Sequence, residues 1–483
     1  DKMAAIITEK FRLHNAKEFK QSATETGNAM YMFIGRPLSW TDDNNPPTPV
    51  DSLNDEYDAY ANMTALKKVS STDVSHAIIR RDWTANTVYD EYRHNYTSSN
   101  TANSGATTLW ASTFYVVTSD YNVYKVISNN NGAQSTVMPT GTSTNILETA
   151  DGYKWKFMYS ISASDVIKFV TSDFIPVKTI GRKEAVEGDV AGLGSAASDD
   201  NSAQWDVEEA AIDGSIVHAR VTAGGSYSGA SDGNYNVAIS GDGTGGQLQV
   251  TVSSGAITAV TINAAGSGYS VASIDNNLLK TAIGASSGSG AVFDVIISPK
   301  NGHGSDAVEE LGGNYVIVNS RLEYAEGSGD FPTDNDFRQI GLIVNPTNAG
   351  GHTLSSATTL SALNAFTLAS GATMPNVDDY IARAGTVVEN TPVGRVVSVD
   401  STNRIIYYLP AVDAVGDFND FTTGNVFAGS SLGSLSSIGT ISSVSSSFPE
   451  VRRNSGDIVY LENRGAVARA ADQIEDIKLI IEM

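Results

Sequence analysis

The chain has 483 residues, 31 Lys and Arg against 54 Asp and Glu, a net charge of −23 and no cysteine. Disulfide staples, thiolate metal sites and thiol catalysis are excluded, and the negative field opposes wrapping nucleic acid or lying on anionic lipid. At roughly 150 residues per domain the length suffices for two to four domains. Apolar runs such as 340–344 (IGLIV) and 294–298 (DVIIS) fall short of the roughly 20 residues that span a bilayer, so a soluble protein with no membrane insertion and no nucleic-acid partner is expected. No basic stretch followed by an apolar one and a small-residue cleavage site opens the sequence, and no secretory signal is expected.

Helix signals are few. Thr8 can cap a first turn, and Phe11, Asn15 and Phe19 recur at i, i+4 and i+8, which predicts a short helix over about 9–22. A second helical segment is expected over 56–68, where Tyr60, Met63 and Leu66 or Lys67 keep compatible spacing and the last turn is basic. Strands are expected at 31–35, 114–119, 121–128 and 153–162, which combine aromatic and β-branched residues, with Asn131-Gly132 and Asp151-Gly152 as turn signals. Residues 184–210, rich in Glu, Asp, Gly, Ala and Ser with Trp205 as their large apolar residue, read as a linker.

A glycine-rich region follows, and it repeats. VHARVTAGGSYSG at 217–229 recurs as ITAVTINAAGSGYS at 257–270, placing Tyr227 and Tyr269 42 residues apart. SGDGTGGQLQVTV at 240–252 recurs as GASSGSGAVFDVII at 284–297, with Gly246 and Gly290 44 apart. Two diverged copies of one β unit, associating into a small domain, fit these offsets. Beyond them come a strand at 340–344 closed by Asn345-Pro346, short strands at 386–390, 394–400 and 404–410, and two closing strands at 456–464 and 476–483.

No strand–helix alternation with long helices recurs. The order predicts a mainly β, multi-domain, β-sandwich-like scaffold with few short helices and two inserted Gly/Ser-rich β domains. The expected divisions are an N-terminal β domain over 1–183, the linker 184–210, the repeat insert 211–298, a return to the scaffold over 299–349, a second insert over 350–447, and closing strands over 448–483.

Chemical motifs are scarce. GDGTGG at 241–246 is followed by Gln247 and Leu248, without the Lys and Ser/Thr of a phosphate loop. GSGYS at 266–270 opens no helix, so it lacks a dinucleotide fingerprint. Both read as turns. Asp232, Asp242, Asp330, Asp334 and Asp336 lack the spacing of a calcium loop and read mainly as solvated loop carboxylates, and the six histidines are never spaced as a zinc pair. No rule selects two acids for glycoside hydrolysis, and no strand–G-x-S-x-G–helix element supports a Ser/His/Asp triad. No catalytic residue, cofactor or metal site is assigned.

Trp40, Trp83, Trp110, Trp155 and Trp205 sit beside apolar strands and read as core or interface residues. Arg80, Arg81, Asp82 and Trp83 place bidentate donors, an acceptor and a flat apolar surface within four positions, a composition that suits either an interface or an intramolecular lock. Arg452, Arg453, Glu462 and Arg464 in 451–464 pose the same choice.

Several of these segments, in order, resemble a T-even-type baseplate wedge protein, the mostly β wedge subunit of contractile-tailed bacteriophages. They are TEKFR at 8–12, IGRPLSW at 34–40, IIRRDW at 78–83, DGYKWKFMYSI at 151–161, FRQIGLIVNP at 337–346 and the closing 455–482. In this chain Arg80, Arg81, Asp82 and Trp83 match that family's IxRRDW stretch, Tyr153 and Trp155 its DGYxW strand, and Asn463 and Arg464 its closing ENR. The regions 217–297 and 350–447 look like insertions, similar to longer versions in marine cyanobacterial myophages. The resemblance implies a non-enzymatic structural protein of the virion tail baseplate, assembled in the host cytoplasm. It further implies a homodimer within a wedge, contacts to other wedge subunits and to proteins connecting tail fibres, a six-fold baseplate, and a part in the rearrangement that triggers sheath contraction. The competing reading is a carbohydrate- or receptor-binding tail accessory, with a polysaccharide hydrolase behind it.

Overall fold

A computed structural model describes residues 6–25, 27–181, 201–322, 335–469 and 474–483. The architecture is mainly β and multi-domain, with several antiparallel sheets, one small closed barrel and a few short helices. Among the described residues no helix is long and apolar enough to cross a membrane. The chain forms two compact units: 1–17 with 75–317 and 480–483, and 18–74 with 318–479.

The first unit is built on a four-stranded sheet ordered Tyr115–Val117, Asn122–Ser128, Lys154–Ser160, Leu147–Glu148. Its two long strands are buried on both faces. Val117, Val123, Met158 and Tyr159 pack with Ile78, Ile175 and Leu311 on one side, and Val116, Tyr124, Val126, Trp155 and Phe157 pack with Tyr89 and Val207 on the other. Double-sided burial explains why these segments read as near-continuous apolar and aromatic runs with only partial alternation. The expected turns are present, with φ of 57° at Asn131, 81° at Gly132 and 81° at Gly152.

Of the stretch read as a linker, 184–200 lies outside the described residues. The remainder contains a helix, Ala203–Glu209, capped by the Ser202 hydroxyl, which accepts from Trp205 N at 3.2 Å. Trp205 is buried, as is Glu208, whose carboxylate accepts from Ile180 N at 3.0 Å and Gly181 N at 2.9 Å. Short helices at Ala163–Phe169, Asn276–Ile283 and Ala307–Leu311 were not predicted from the sequence.

The glycine-rich copies interlock. The first strand of copy one, Ile216–Ser228, pairs with the last strand of copy two, Ser287–Ile297, and the last strand of copy one, Gln247–Ser253, pairs with the first of copy two, Ala256–Ala264. Each copy also sends its tyrosine into the glycine loop of the other. The Tyr269 hydroxyl accepts from Gly246 N at 3.1 Å, and that of Tyr227 accepts from Ala291 N at 3.4 Å while donating to Asn276 Oδ1 at 2.9 Å. A Cβ on Gly243 would lie 2.4 Å from the Tyr269 ring, and one on Gly288 would lie 2.8 Å from that of Tyr227. The glycines are therefore where a ring lies flat against backbone.

The second unit contains a five-stranded antiparallel sheet ordered Thr359–Ser361, Met63–Lys68, Met30–Gly35, Asn335–Val344, Asp457–Arg469. The helix expected over 56–68 is a correction: it spans Leu53–Asn62, capped by Ser52, and the backbone turns extended at Met63. Residues Met63–Lys68 pair on both sides, and Met63, Ala65 and Leu66 are buried. Tertiary pairing overrides helical spacing there.

A six-stranded barrel completes the second unit, running Asn364–Leu368, Ile405–Ala411, Val393–Asp400, Tyr380–Ala382, Gly424–Gly429, Ser436–Val444 and back to the first strand. Closure leaves no free sheet edge, and Phe366, Tyr408 and Phe421 fill the interior with ring centroids 5.0–5.4 Å apart. The strand expected at 386–390 is a second correction. Those residues form a barrel-end turn, with Thr391 N donating to Val388 O at 3.1 Å and Asn390 at φ 60°.

Candidate functional site

Arg80, Arg81, Asp82 and Trp83 follow the strand Val74–Ile79, and each is engaged within the first unit. Arg80 Nε donates to both Asp82 oxygens at 3.1 and 3.0 Å, and its Nη1 donates to Thr171 O at 2.9 Å. Arg81 lies over the Tyr115 ring at 4.5 Å and donates to Trp110 O at 3.2 Å. Trp83 is half-buried, with its indole N–H on Ser135 Oγ at 3.1 Å and its backbone N–H on Val117 O at 2.9 Å. Tyr153 and Trp155 are fully buried and stacked, with centroids 5.3 Å apart.

The closing strand is stitched to the 37–47 loop. Asn463 Nδ2 donates to Pro47 O at 2.9 Å while its Oδ1 accepts from Gln339 at 3.0 Å. Trp40 Nε1 donates to Arg464 O at 2.9 Å, and Arg464 Nε faces Glu462 at 3.5 Å. Arg452 contacts His352 Nδ1 at 2.7 Å, and Arg453 lies over the Phe418 ring at 5.0 Å.

The carboxylates weighed as calcium ligands have protein partners where described. Asp242 accepts from Ser270 N at 2.9 Å, Val271 N at 3.0 Å and the Ser270 hydroxyl, and these hydrogen bonds hold its pKa far below the usual carboxylate range. Asp232 accepts from Ser254 N at 2.7 Å and Asp336 from Arg338 at 3.0 Å, whereas Asp330 and Asp334 lie outside the described residues. Among the described residues no group of three or more His, Asp or Glu is placed to hold a metal ion.

Sequence reasoning missed three polar networks. Arg338 is buried in a central strand and forks onto Asp43 (2.9–3.0 Å), Asp336 and Pro37 O at 2.6 Å. Arg93 and Arg220 alternate with Glu91 and Asp294 at 2.7–3.1 Å, tying the repeat module to the 91–93 segment. In the core, Lys125 pairs with Glu310, whose Oε1 also accepts from Gly304 N at 2.8 Å, and His303 packs edge-on to Tyr92 with centroids 4.6 Å apart. Burial pushes Glu310 up and Lys125 down, each opposed by the attraction of its partner, and Lys156 beside them is lowered to about 8 by burial and then by the charge of Lys125. The available signal was a lysine inside an otherwise apolar strand, YNVYKVIS.

A histidine beside these networks, His218, is expected to make the first unit acid-sensitive. His218 is lowered to about 4, first by burial, then by Lys154 and Arg220, against the attraction of Asp294, with Arg93 adding repulsion. A folded-state pKa below the unfolded value means that the unfolded chain takes the proton first. Stability from this group is present above pH 6.5 and is lost as pH falls towards 4, by about 2 kcal/mol after allowance for partial exposure. Urea unfolding followed between pH 7 and 4.5 is expected to show this loss, and His218→Gln to flatten it. An equal pH slope in both proteins would exclude His218 as the cause.

These arrangements are ion pairs, caps and ring cages that hold strands together and present surfaces. No curated protein matches the chain. Residues 5–136, which are 132 of the 483, are similar to the family described as Bacteriophage T4, Gp8.

Proposed function

We propose that the chain is a structural subunit of the baseplate wedge of a contractile phage tail, acting by holding neighbours in place and performing no reaction. The match of residues 5–136 to bacteriophage T4 Gp8 carries this reading. It is supported by the ordered motifs in 151–161, 337–346 and 455–482, which lie beyond the matched segment. On this reading the chain forms a homodimer within a wedge, meets other wedge subunits and proteins connecting tail fibres, and takes its place in a six-fold baseplate.

The physical case rests on rigidity and solubility. Each unit has its own core and a buried charged pair, Lys125–Glu310 in the first and Arg469–Glu475 in the second, which suits bodies that move whole when a baseplate rearranges. A charge of −23 keeps the unassembled pool apart until specific partners overcome the repulsion. Arg80 to Trp83, Arg452, Arg453, Asn463 and Arg464 serve by shaping the surfaces that partners meet, and the buried Tyr153 and Trp155 by holding the first unit's sheet together.

A nonsense mutation in this gene, within the phage that encodes it, tests the reading. The expected result is lysates with no complete contractile tails, rescued by supplying the chain in trans. Complete contractile particles that fail only to adsorb would instead indicate a receptor-binding accessory.

A further inference from the structure

We propose that the cleft beside Arg453, between the five-stranded sheet and the barrel of the second unit, is a binding site for a single carboxylate group. The cleft is lined by Met63 and Ile343 of that sheet, by Asn364 at the start of the first barrel strand, and by Val451, Arg452 and Arg453 of the segment that returns from the barrel. Its volume of about 20 Å³ has room for one or two waters, hence for the head of a carboxylate and not for a sugar or a nucleotide.

Arg453 is the group left over. Its guanidinium is half-buried over the Phe418 ring at 5.0 Å, and among the described residues it makes no hydrogen bond or ion pair. The other arginines around the barrel are engaged: Arg383 with Thr423 O at 2.9 Å, Arg395 with Asp378 at 3.2 Å, Arg404 with Ala369 O at 3.1 Å and Arg452 with His352 Nδ1 at 2.7 Å. Burial pushes the Arg453 guanidinium down, opposed by the attraction of Asp420 and Tyr408. A cation held partly out of water on an aromatic face gains most from a planar acceptor that takes two of its donors at once, and a carboxylate is such an acceptor.

The cleft lining contains no carboxylate. Of the acids around it, Glu450 accepts from Ser361 N at 2.7 Å, and Glu56 and Asp457 act on Tyr60. Asp420 is exposed and attracts Arg453 from beyond ion-pair distance, so it is the group that a ligand must outcompete. The net charge of −23 also repels free anions, but salt at physiological strength limits that repulsion to about 8 Å. Met63, Ile343 and Val451 make the wall apolar, which suits a carboxylate borne on a methyl or methylene stem. This chemistry does not depend on a baseplate role.

The arginine Nε–Hε resonances of the full chain, isotope-labelled on arginine nitrogen, test the site, with the Arg453 signal identified by its loss in Arg453→Lys. Acetate and a blocked Gly-Glu-Gly peptide are expected to shift that signal to saturation at roughly millimolar concentration, and a blocked Gly-Gln-Gly peptide to leave it in place. Equal affinity for acetate and the Glu peptide marks a site for a free small carboxylate; tighter binding of the peptide marks one for an acidic side chain of another polypeptide. Asp420→Asn keeps Arg453 in place and is expected to tighten binding several-fold, whereas Arg452→Gln leaves it unchanged. A shift that never saturates, an equal response to the Gln peptide, or saturation by inorganic phosphate at a lower concentration than by acetate would overturn the proposal. So would an Arg453 signal that moves on Asp420→Asn alone while the wild type ignores acetate, since that result gives the guanidinium to Asp420.

Discussion

Lys125→Met is expected to lower the stability of the first unit by about 3–5 kcal/mol, because it removes one half of a buried pair and leaves a carboxylate in the core. Lys125 has 0% of its side chain exposed and Glu310 4%. With the ammonium gone, Glu310 keeps the amides of Gly304 at 2.8 Å and Asp306 at 3.3 Å, which are too few to offset loss of solvation, so burial pushes its carboxyl further up. The double variant Lys125→Met/Glu310→Leu is expected to recover most of the loss, since apolar replacement of a whole buried pair is often neutral or favourable. Chemical unfolding of the wild type, both single variants and the double variant gives the coupling directly. Additive losses in the double variant would show that the two residues act independently.

Trp155→Ala is the second large effect, a loss of about 3–5 kcal/mol from core truncation. The indole is fully buried between Tyr153, stacked at 5.3 Å, and Tyr89, edge-on at 6.1 Å, and its N–H donates to Thr149 Oγ1 at 3.2 Å. Trp155→Phe retains most of the ring packing and loses the hydrogen bond, so a smaller cost is expected, with Thr149 left short of a donor. Thermal unfolding that moves equally in both variants would place the cost in the hydrogen bond rather than in the ring.

The contrast between these residues shows what could be read in the sequence. Trp155 lies in an aromatic and β-branched run beside Asp151-Gly152, so its strand and turn follow from local pattern. The partner of Lys125 lies 185 positions away, and no local rule reports a pairing at that distance. The repeat offset identified two copies through Tyr227 and Tyr269, but their crossed pairing is a property of the assembled pair that neither copy encodes alone. At 63–68 periodicity misled, because a strand buried between two neighbours carries apolar residues at spacings a helix also allows.

The Arg80–Trp83 stretch was legible as a dense polar and aromatic cluster, and its contacts explain the composition: Asp82 takes Arg80, Tyr115 takes Arg81 and Ser135 takes the indole of Trp83. Composition alone could not decide where those donors point, because the same groups serve a fold or a partner.

Electron cryomicroscopy of intact particles from the phage that encodes this chain tests the central claim most directly. The account predicts that both units are found as density in the tail baseplate, in copies related by six-fold symmetry and in contact with other baseplate proteins. Density for the chain at the fibre tips alone, or its absence from the particle, would contradict it.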